Sequence, residues 1–119
     1  MKFTPSHEWI TLQGNIGTVG ITAHAVGELG EIVYIDLPKL GHKIKAGEEI
    51  AILESTKAAA DIYSPVTGKI TEVNSDLLTE LDKLHSSPQK EGWLFKIELQ
   101  NPKEYDSLLS KDSYQQLIE

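Results

Sequence analysis

The stretch "EEIAILESTKAAADIYSPVTGKI", residues 48–70, decides how this chain folds. Its middle, "AILESTKAAADI", is rich in Ala and can be read as a helix. Its flanks favour a pair of strands: "IAIL" with two Ile precedes the lysine, and "IYSPVTG" follows it. The turn lacks the Asn-Gly or Asp-Gly that short hairpins prefer, so propensity alone leaves helix and hairpin both open. That middle, residues 51–62, holds a single cation, Lys57, with Ala58, Ala59 and Ala60 leaving space beside it; the other lysine of the stretch, Lys69, lies in the flank.

Outward from this stretch the chain is a series of short β-type runs. They are "EWITLQ" (8–13), "IGTVGI" (16–21), "EIVYIDL" (31–37), "EIAIL" (49–53), "KITEV" (69–73) and "LFKIEL" (94–99). Turn signals separate them at Gly14-Asn15, Pro38 to Gly41, Ala46-Gly47 and Ser64 to Gly68. In "KITEV" the alternation slips by one residue between Ile70 and Val73. Many short strands at close spacing predict a small antiparallel sandwich or barrel. Three stretches read as helices. "TAHAVGELG" (22–30) has Thr22 as N-cap and Gly30 at its end. "SDLLTELDKL" (75–84) follows Asn74 or Ser75 as cap. "NPKEYDSLL" (101–109) starts with Asn101 at the N-cap, Pro102 at the first helical position and Glu104 two positions on, and carries Tyr105, Leu108 and Leu109 as an apolar stripe that predicts a lid on the sheet.

Composition excludes several classes. The 119 residues suit one domain, 1–119, closed by a C-terminal helix from about 102. The chain has no Cys, which excludes a disulfide framework, a thiolate metal site and a cysteine nucleophile. The formal net charge is −7 and all eleven basic residues are Lys. No basic face for displacing counterions is visible, so nucleic acid is not an expected partner. No stretch reaches the ~18 apolar residues that cross a bilayer, and "MKFTPSHEW" lacks an apolar signal region. The expectation is a soluble protein of a reducing compartment, and a mature organelle protein would look the same.

No self-sufficient catalytic set emerges. His7, His24, His42 and His85 never fall four apart, so no zinc signature is present. "GNIGTVG" (14–20) has neither dinucleotide-loop nor P-loop spacing; Gly14-Asn15 turns a hairpin, and Gly17 and Gly20 mark strand positions where something packs close. Lys57 has two readings. One is an ordinary surface lysine at a loop tip. The other is an attachment point for a cofactor through an amide. A bare lysine reaches only about 6 Å from its Cα, whereas one joined to an eight-carbon acid reaches on the order of 14 Å. Acylation also removes the charge, so the arm can lie on apolar surface without desolvating an ammonium.

At "ESTKAAADIYSPVTG" (54–68) the chain resembles the lipoyl-attachment region of the glycine cleavage H proteins. The resemblance spans nearly the whole chain through "SHEW" (6–9), "VGIT" (19–22), "LGEIVYIDLP" (29–38), "EVN" (72–74) and "EGWLFKI" (91–97). It implies a mainly β barrel-sandwich hybrid, two sheets around a short core with short helices, and lipoate joined to Lys57 on a hairpin. It implies a carrier rather than an enzyme. A pyridoxal-phosphate decarboxylase (the P protein) leaves the aminomethyl group of glycine on a lipoyl sulfur. The aminomethyltransferase (the T protein) then receives it, and a flavin dehydrogenase (the L protein) reoxidises the dithiol. The aminomethyl thioether hydrolyses readily and its amine is cationic, so a groove should offer carboxylate and hydroxyl groups and exclude water. By resemblance, Ser6, Glu8 and Asp61 form this cleft for the loaded arm, and Glu54 belongs to what the lipoylating enzyme recognises. The oxidised arm carries no cation and gains nothing from Glu8, a difference that can switch the arm between docked and free states. A monomer in the cytoplasm, or in the mitochondrial matrix of a eukaryote, with no nucleic acid or membrane partner, completes the expectation.

The chain departs from the family pattern in two places. Thr56 stands where Val is commoner, and both are β-branched, so the turn survives. "LLTELDKLHSSPQKEGW" (77–93) lacks the Pro and Asn usual near Leu81 and His85, which bears on partner identity. Two rivals follow: an H-like lipoate carrier or reservoir that serves lipoate transfer or another redox system, and a scaffold whose Lys57 stays bare.

Overall fold

The apolar runs become antiparallel strands in two sheets. The computed structural model describes residues 1–119. The first sheet holds β1 (Lys2–Phe3), β2 (Glu8–Gln13), β3 (Ile16–Ile21), β5 (Lys43–Ile44), β8 (Gly68–Val73) and β9 (Phe95–Leu99), in the order β1-β2-β3-β9-β8-β5. The second holds β4 (Ile32–Asp36), β6 (Glu49–Ser55) and β7 (Ala59–Tyr63), in the order β4-β6-β7. Neither sheet closes on itself, so this is the two-sheet hybrid that the resemblance implied and not a full barrel. One apolar core joins the layers, with Ile10, Val19 and Ile97 from the first sheet meeting Ile35, Leu53 and Ile62 from the second. Each such side chain contributes roughly 1.5–3 kcal/mol by leaving water.

Several local devices in the sequence work as expected. Gly14, at φ 62°, turns the β2–β3 hairpin, and Gln13 pairs with Ile16 across it. Gly20 leaves room for the Trp9 ring, which a methyl group would meet at 2.7 Å. The slip in "KITEV" is a β-bulge: Ile70 pairs with Ile97 and Glu72 with Lys96, so Thr71 is the extra residue. Gly68 is fixed by crowding and not by a left-handed φ, since an added Cβ would stand 2.1 Å from the Glu98 carbonyl oxygen.

The helices hold to the sequence unevenly. α1 (Ala23–Leu29) starts where Thr22 Oγ1 accepts the Ala25 N–H at 3.2 Å, and it ends at Gly30 with φ 79°. The stretch 75–84 is not one helix. It splits into a 3₁₀ turn (Ser75–Leu78) and α2 (Asp82–Ser86), each burying one leucine, Leu77 and Leu84, and Asn74 does not cap. Asn74 Nδ2 instead donates to the carbonyls of Glu91 and Trp93 at 2.9 and 2.8 Å. The C-terminal helix begins where expected, with Asn101 Oδ1 accepting the Lys103 N–H at 3.2 Å, but α3 (Lys103–Asp106) is one turn long. Glu104 does not turn back on the cap; its carboxylate accepts from Thr67 N and Thr67 Oγ1 at 2.8 and 3.0 Å. The chain then straightens so that Leu109 and Phe3 exchange backbone hydrogen bonds at 2.8 Å, and α4 (Lys111–Ile118) follows. Tyr114 of α4 stacks on Phe3 with ring centroids 4.7 Å apart, and with Trp9 these residues form a second, smaller core. β2 is therefore covered on both faces, with Ile10 in the main core and Trp9 under α4.

Two glycine substitutions should move stability in opposite directions. Gly68→Ala drives a methyl into backbone and is expected to cost at least about 2 kcal/mol. Gly27→Ala meets nothing within 4 Å on a helix interior and is expected to add about 0.5–1 kcal/mol. Urea unfolding of the two variants beside the parent checks both signs.

Candidate functional site

The hairpin reading of residues 48–70 is the one the chain adopts. β6 and β7 pair antiparallel as far as Glu54 with Ala59. Four residues then close the turn, and the Ser55 N–H donates to the Ala58 carbonyl at 2.8 Å. Ser55 is the residue that the sequence reading missed. Its Oγ accepts from Lys57 N and Ala58 N, each at 3.1 Å, and donates to the Ala58 carbonyl at 3.1 Å. A serine two residues before the lysine was the available signal, since a hydroxyl of this kind can stand in for the Asn-Gly of a hairpin turn. Thr56, Lys57 and Ala58 all keep negative φ, His7 being the only non-glycine residue with a positive one. The Thr56 N–H donates to the Glu31 carbonyl at 3.0 Å, which tethers the turn to the segment before β4. The next residue, Ile32, donates its N–H to His85 Nε2 at 3.2 Å.

Lys57 is exposed at the apex, as are Ala58 and Ala59 beside it and Glu54 at the base of the turn. The lysine stem lies across the end of α1: a methyl added to Gly30 would stand 3.3 Å from Lys57 Cε. Along α1 from that point lies a small cavity of about 150 Å³. Ile21, Ala25, Leu29, Ala60 and Ile62 supply its apolar walls, and Ser6, His7, Glu28 and Asp61 its polar ones. A larger groove of about 550 Å³, lined by Lys43, Lys45, Glu48 and Lys69 among others, lies at the other end of the hairpin, remote from Lys57.

The three residues expected to hold a loaded arm are not equivalent. Ser6 and Asp61 both face the small cavity. Glu8 does not: it is 1% exposed and lies beneath Ser6. Its Oε1 accepts from the Thr4 hydroxyl and from Ser6 Oγ at 2.6 Å, and its Oε2 accepts the Tyr63 N–H at 3.3 Å. The carboxylate therefore ties the start of β2 to the end of β7, one sheet to the other. Its burial is supported by these donors, which come from segments far apart in sequence.

Beside Ser6, His7 is held at φ 74° and its Nδ1 lies 2.8 Å from the Tyr114 hydroxyl. That hydroxyl also lies 2.7 Å from Thr22 Oγ1. Burial holds the Tyr114 phenol above its ordinary pKa range; the hydrogen bond with Thr22 pulls the other way, and the nearby Glu28 and Glu8 charges add smaller upward pushes. Tyr114 thus keeps its proton at neutral pH and can donate to one neighbour while accepting from the other.

A rigid two-sheet platform that offers one lysine on a tight turn, beside a small cavity of mixed lining, is built as a carrier domain for a covalently tethered group. Comparison with known proteins gives the family. All of residues 1–119 match the glycine cleavage H-protein family. The glycine cleavage system H protein of Thermotoga maritima is 48% identical over 97% of this chain and 93% of its own length. That of Stenotrophomonas maltophilia is 48% identical over 100% of this chain and 92% of its own. The crystal structure of a glycine cleavage system H protein from Mycobacterium marinum superposes with a TM-score of 0.88 at 32% identity, covering 97% of this chain and 93% of that one. The chain belongs to the glycine cleavage H-protein family, and its role is that of the lipoyl carrier component of glycine cleavage. No helix is long and apolar enough to cross a membrane.

Glu8 and Lys57 should separate structure from service. Glu8→Gln turns an acceptor into an amide whose N–H₂ faces donors, and is expected to destabilise by about 1–3 kcal/mol. Lys57→Ala removes only an exposed side chain and is expected to stay within about 0.5 kcal/mol of the parent. Equilibrium urea curves on both variants decide the matter.

Proposed function

We propose that Lys57 is the lipoyl attachment point and that the chain carries the aminomethyl group of glycine from the P protein to the T protein, with the L protein restoring the oxidised arm. The observation that carries this reading is the exposed amine at the apex of the Ser55-braced turn, its stem directed over Gly30 towards the cavity along α1. Lipoate, once joined by an amide to Lys57 Nζ, supplies a dithiolane that can be opened and one of whose sulfurs can take up the aminomethyl fragment. The chain's own residues do the rest. The Ser55 hydroxyl fixes the direction in which Lys57 leaves the body. Ala58 and Ala59 leave the amine open to the lipoylating enzyme, and Glu54 gives that enzyme a charge beside the tip.

The cavity suits a cationic cargo. The Ser6 proton is committed to Glu8 at 2.6 Å, so the Ser6 oxygen turns only lone pairs towards the cavity. With the exposed Asp61 carboxylate on the same cavity, it can accept hydrogen bonds from an ammonium, while Ala25, Leu29 and Ile62 keep water scarce around it. Glu8 then acts through Ser6, and the cation never touches it. Work in the cytoplasm, or in the matrix of a mitochondrion, as a monomer passing between enzymes, is part of the same proposal.

The test has two stages. Incubation with a lipoylating enzyme, lipoate and ATP should add one lipoyl group to the parent chain by intact mass and none to Lys57→Arg. The lipoylated parent should then support glycine–bicarbonate exchange by the P protein. A modified Lys57→Arg chain would move the attachment point, and a lipoylated parent that leaves exchange silent would remove the chain from glycine cleavage. Ser6→Ala should raise the hydrolysis rate of the loaded arm on the order of tenfold, the loss of one charge-assisted hydrogen bond. An unchanged rate would sink the sheltering role.

A further inference from the structure

His7, His24 and Glu28 come together although nothing in the sequence places them so. One ligand atom from each lies within 4.8 Å of the other two. His24 and Glu28 sit one turn apart on α1, with His24 Nε2 and Glu28 Oε1 at 3.0 Å. His7 arrives from the segment before β2, with its ring centroid 4.9 Å from that of His24. The spacing His24-x-x-x-Glu28 is a two-ligand helix face, and the third ligand comes from a separate part of the fold; the absence of two His four apart concealed it. We propose that these three side chains form a binding site for a divalent transition ion of the zinc type.

An exposed helical ion pair explains His24 and Glu28 alone, and such pairs contribute little. It does not explain His7. That residue is held at φ 74°, in a conformation that costs a non-glycine residue free energy, and its Nδ1 is engaged by the buried Tyr114 hydroxyl at 2.8 Å. When His7 Nδ1–H donates to Tyr114, and Tyr114 donates in turn to Thr22 at 2.7 Å, the Nε2 lone pair is left free for an ion. Metal-ligating histidines are characteristically held this way through their other ring nitrogen.

The donor set selects the ion. Two imidazoles and one carboxylate suit Zn²⁺ and its borderline neighbours, whereas Mg²⁺ and Ca²⁺ take oxygen ligands. Bonds of about 2.0–2.1 Å require the ligand atoms to stand roughly 3.4 Å apart. Closure from the present separation needs a movement on the order of 1 Å. Glu28, exposed over 63% of its side chain, and His24, exposed over 32%, can make it by rotation alone. Three protein ligands leave one coordination position open beside the small cavity that His7 and Glu28 line.

Calorimetric titration of the unlipoylated chain with zinc chloride tests the site, and by using that chain it is independent of the attachment at Lys57. The parent should bind one ion with a dissociation constant in the micromolar range and give no binding heat with magnesium chloride. His24→Gln, a half-exposed helical position whose folding a thermal melt verifies, should weaken zinc binding at least about tenfold. His42→Gln should leave it unchanged. On titration the imidazole resonances of His7 and His24 should shift together, while those of His42 and His85 stay put. Absence of saturable one-to-one binding, equal affinity in His24→Gln, or shifts confined to His42 or His85 would each overturn the proposal.

Discussion

Lys57 reaches water because β6 and β7 pair up to Glu54 and Ala59 and one hydroxyl closes what is left. The usual two-residue hairpin turn needs positive φ at its centre, and that demands Gly or Asn where the lysine must stand. Bracing by Ser55 removes the demand. Thr56 and Lys57 keep negative φ, and a residue with a long side chain can occupy the apex without strain. The direction of the Lys57 side chain, its distance from the cavity and its exposure all follow from this one turn and from the Thr56–Glu31 tether.

The cavity depends on a different constraint, a buried carboxylate shared between sheets. Glu8 begins β2 in the first sheet and accepts from Tyr63 at the end of β7 in the second. It also accepts hydrogen bonds from the Thr4 and Ser6 hydroxyls, and so fixes the segment before β2 that carries Ser6 and His7 to the cavity. A residue that the family resemblance placed against the cargo is thereby the strut beneath Ser6, which lines the cavity. A charged side chain at the start of a strand reads as exposed in any sequence; only the three donors assembled by the fold make its burial tolerable.

What was legible and what was not divides along the same line. β2, β3 and α1 were readable because local chemistry defines them: Gly14 turns, Thr22 caps, Gly30 ends. The bulge at Thr71 was readable as a slip in alternation. β7 was not, because "AADIY" has little strand propensity and is made a strand by its pairing with β6. The two-residue strands β1 and β5 are too short to leave a pattern. The stretches 75–84 and 101–109 have helical periodicity, yet the first lacks its cap, because the Asn74 amide is spent on Glu91 and Trp93, and the Phe3–Leu109 pairing breaks the second. In the site, Lys57 was legible through its surrounding residues, Ser55 was visible but unread, and the convergence of Ser6 with Asp61 needed the fold.

The union of Phe3 with Leu109 and Tyr114 also has a bearing on how the molecule is made. A nascent chain leaving the ribosome can pair β2 with β3 early, but the outer edge of β1 and the indole of Trp9 stay without this cover until Leu109 and Tyr114 emerge. Until those two residues arrive the growing polypeptide thus exposes an unpaired edge of the kind that invites association with neighbours, and their docking is the event that shuts it.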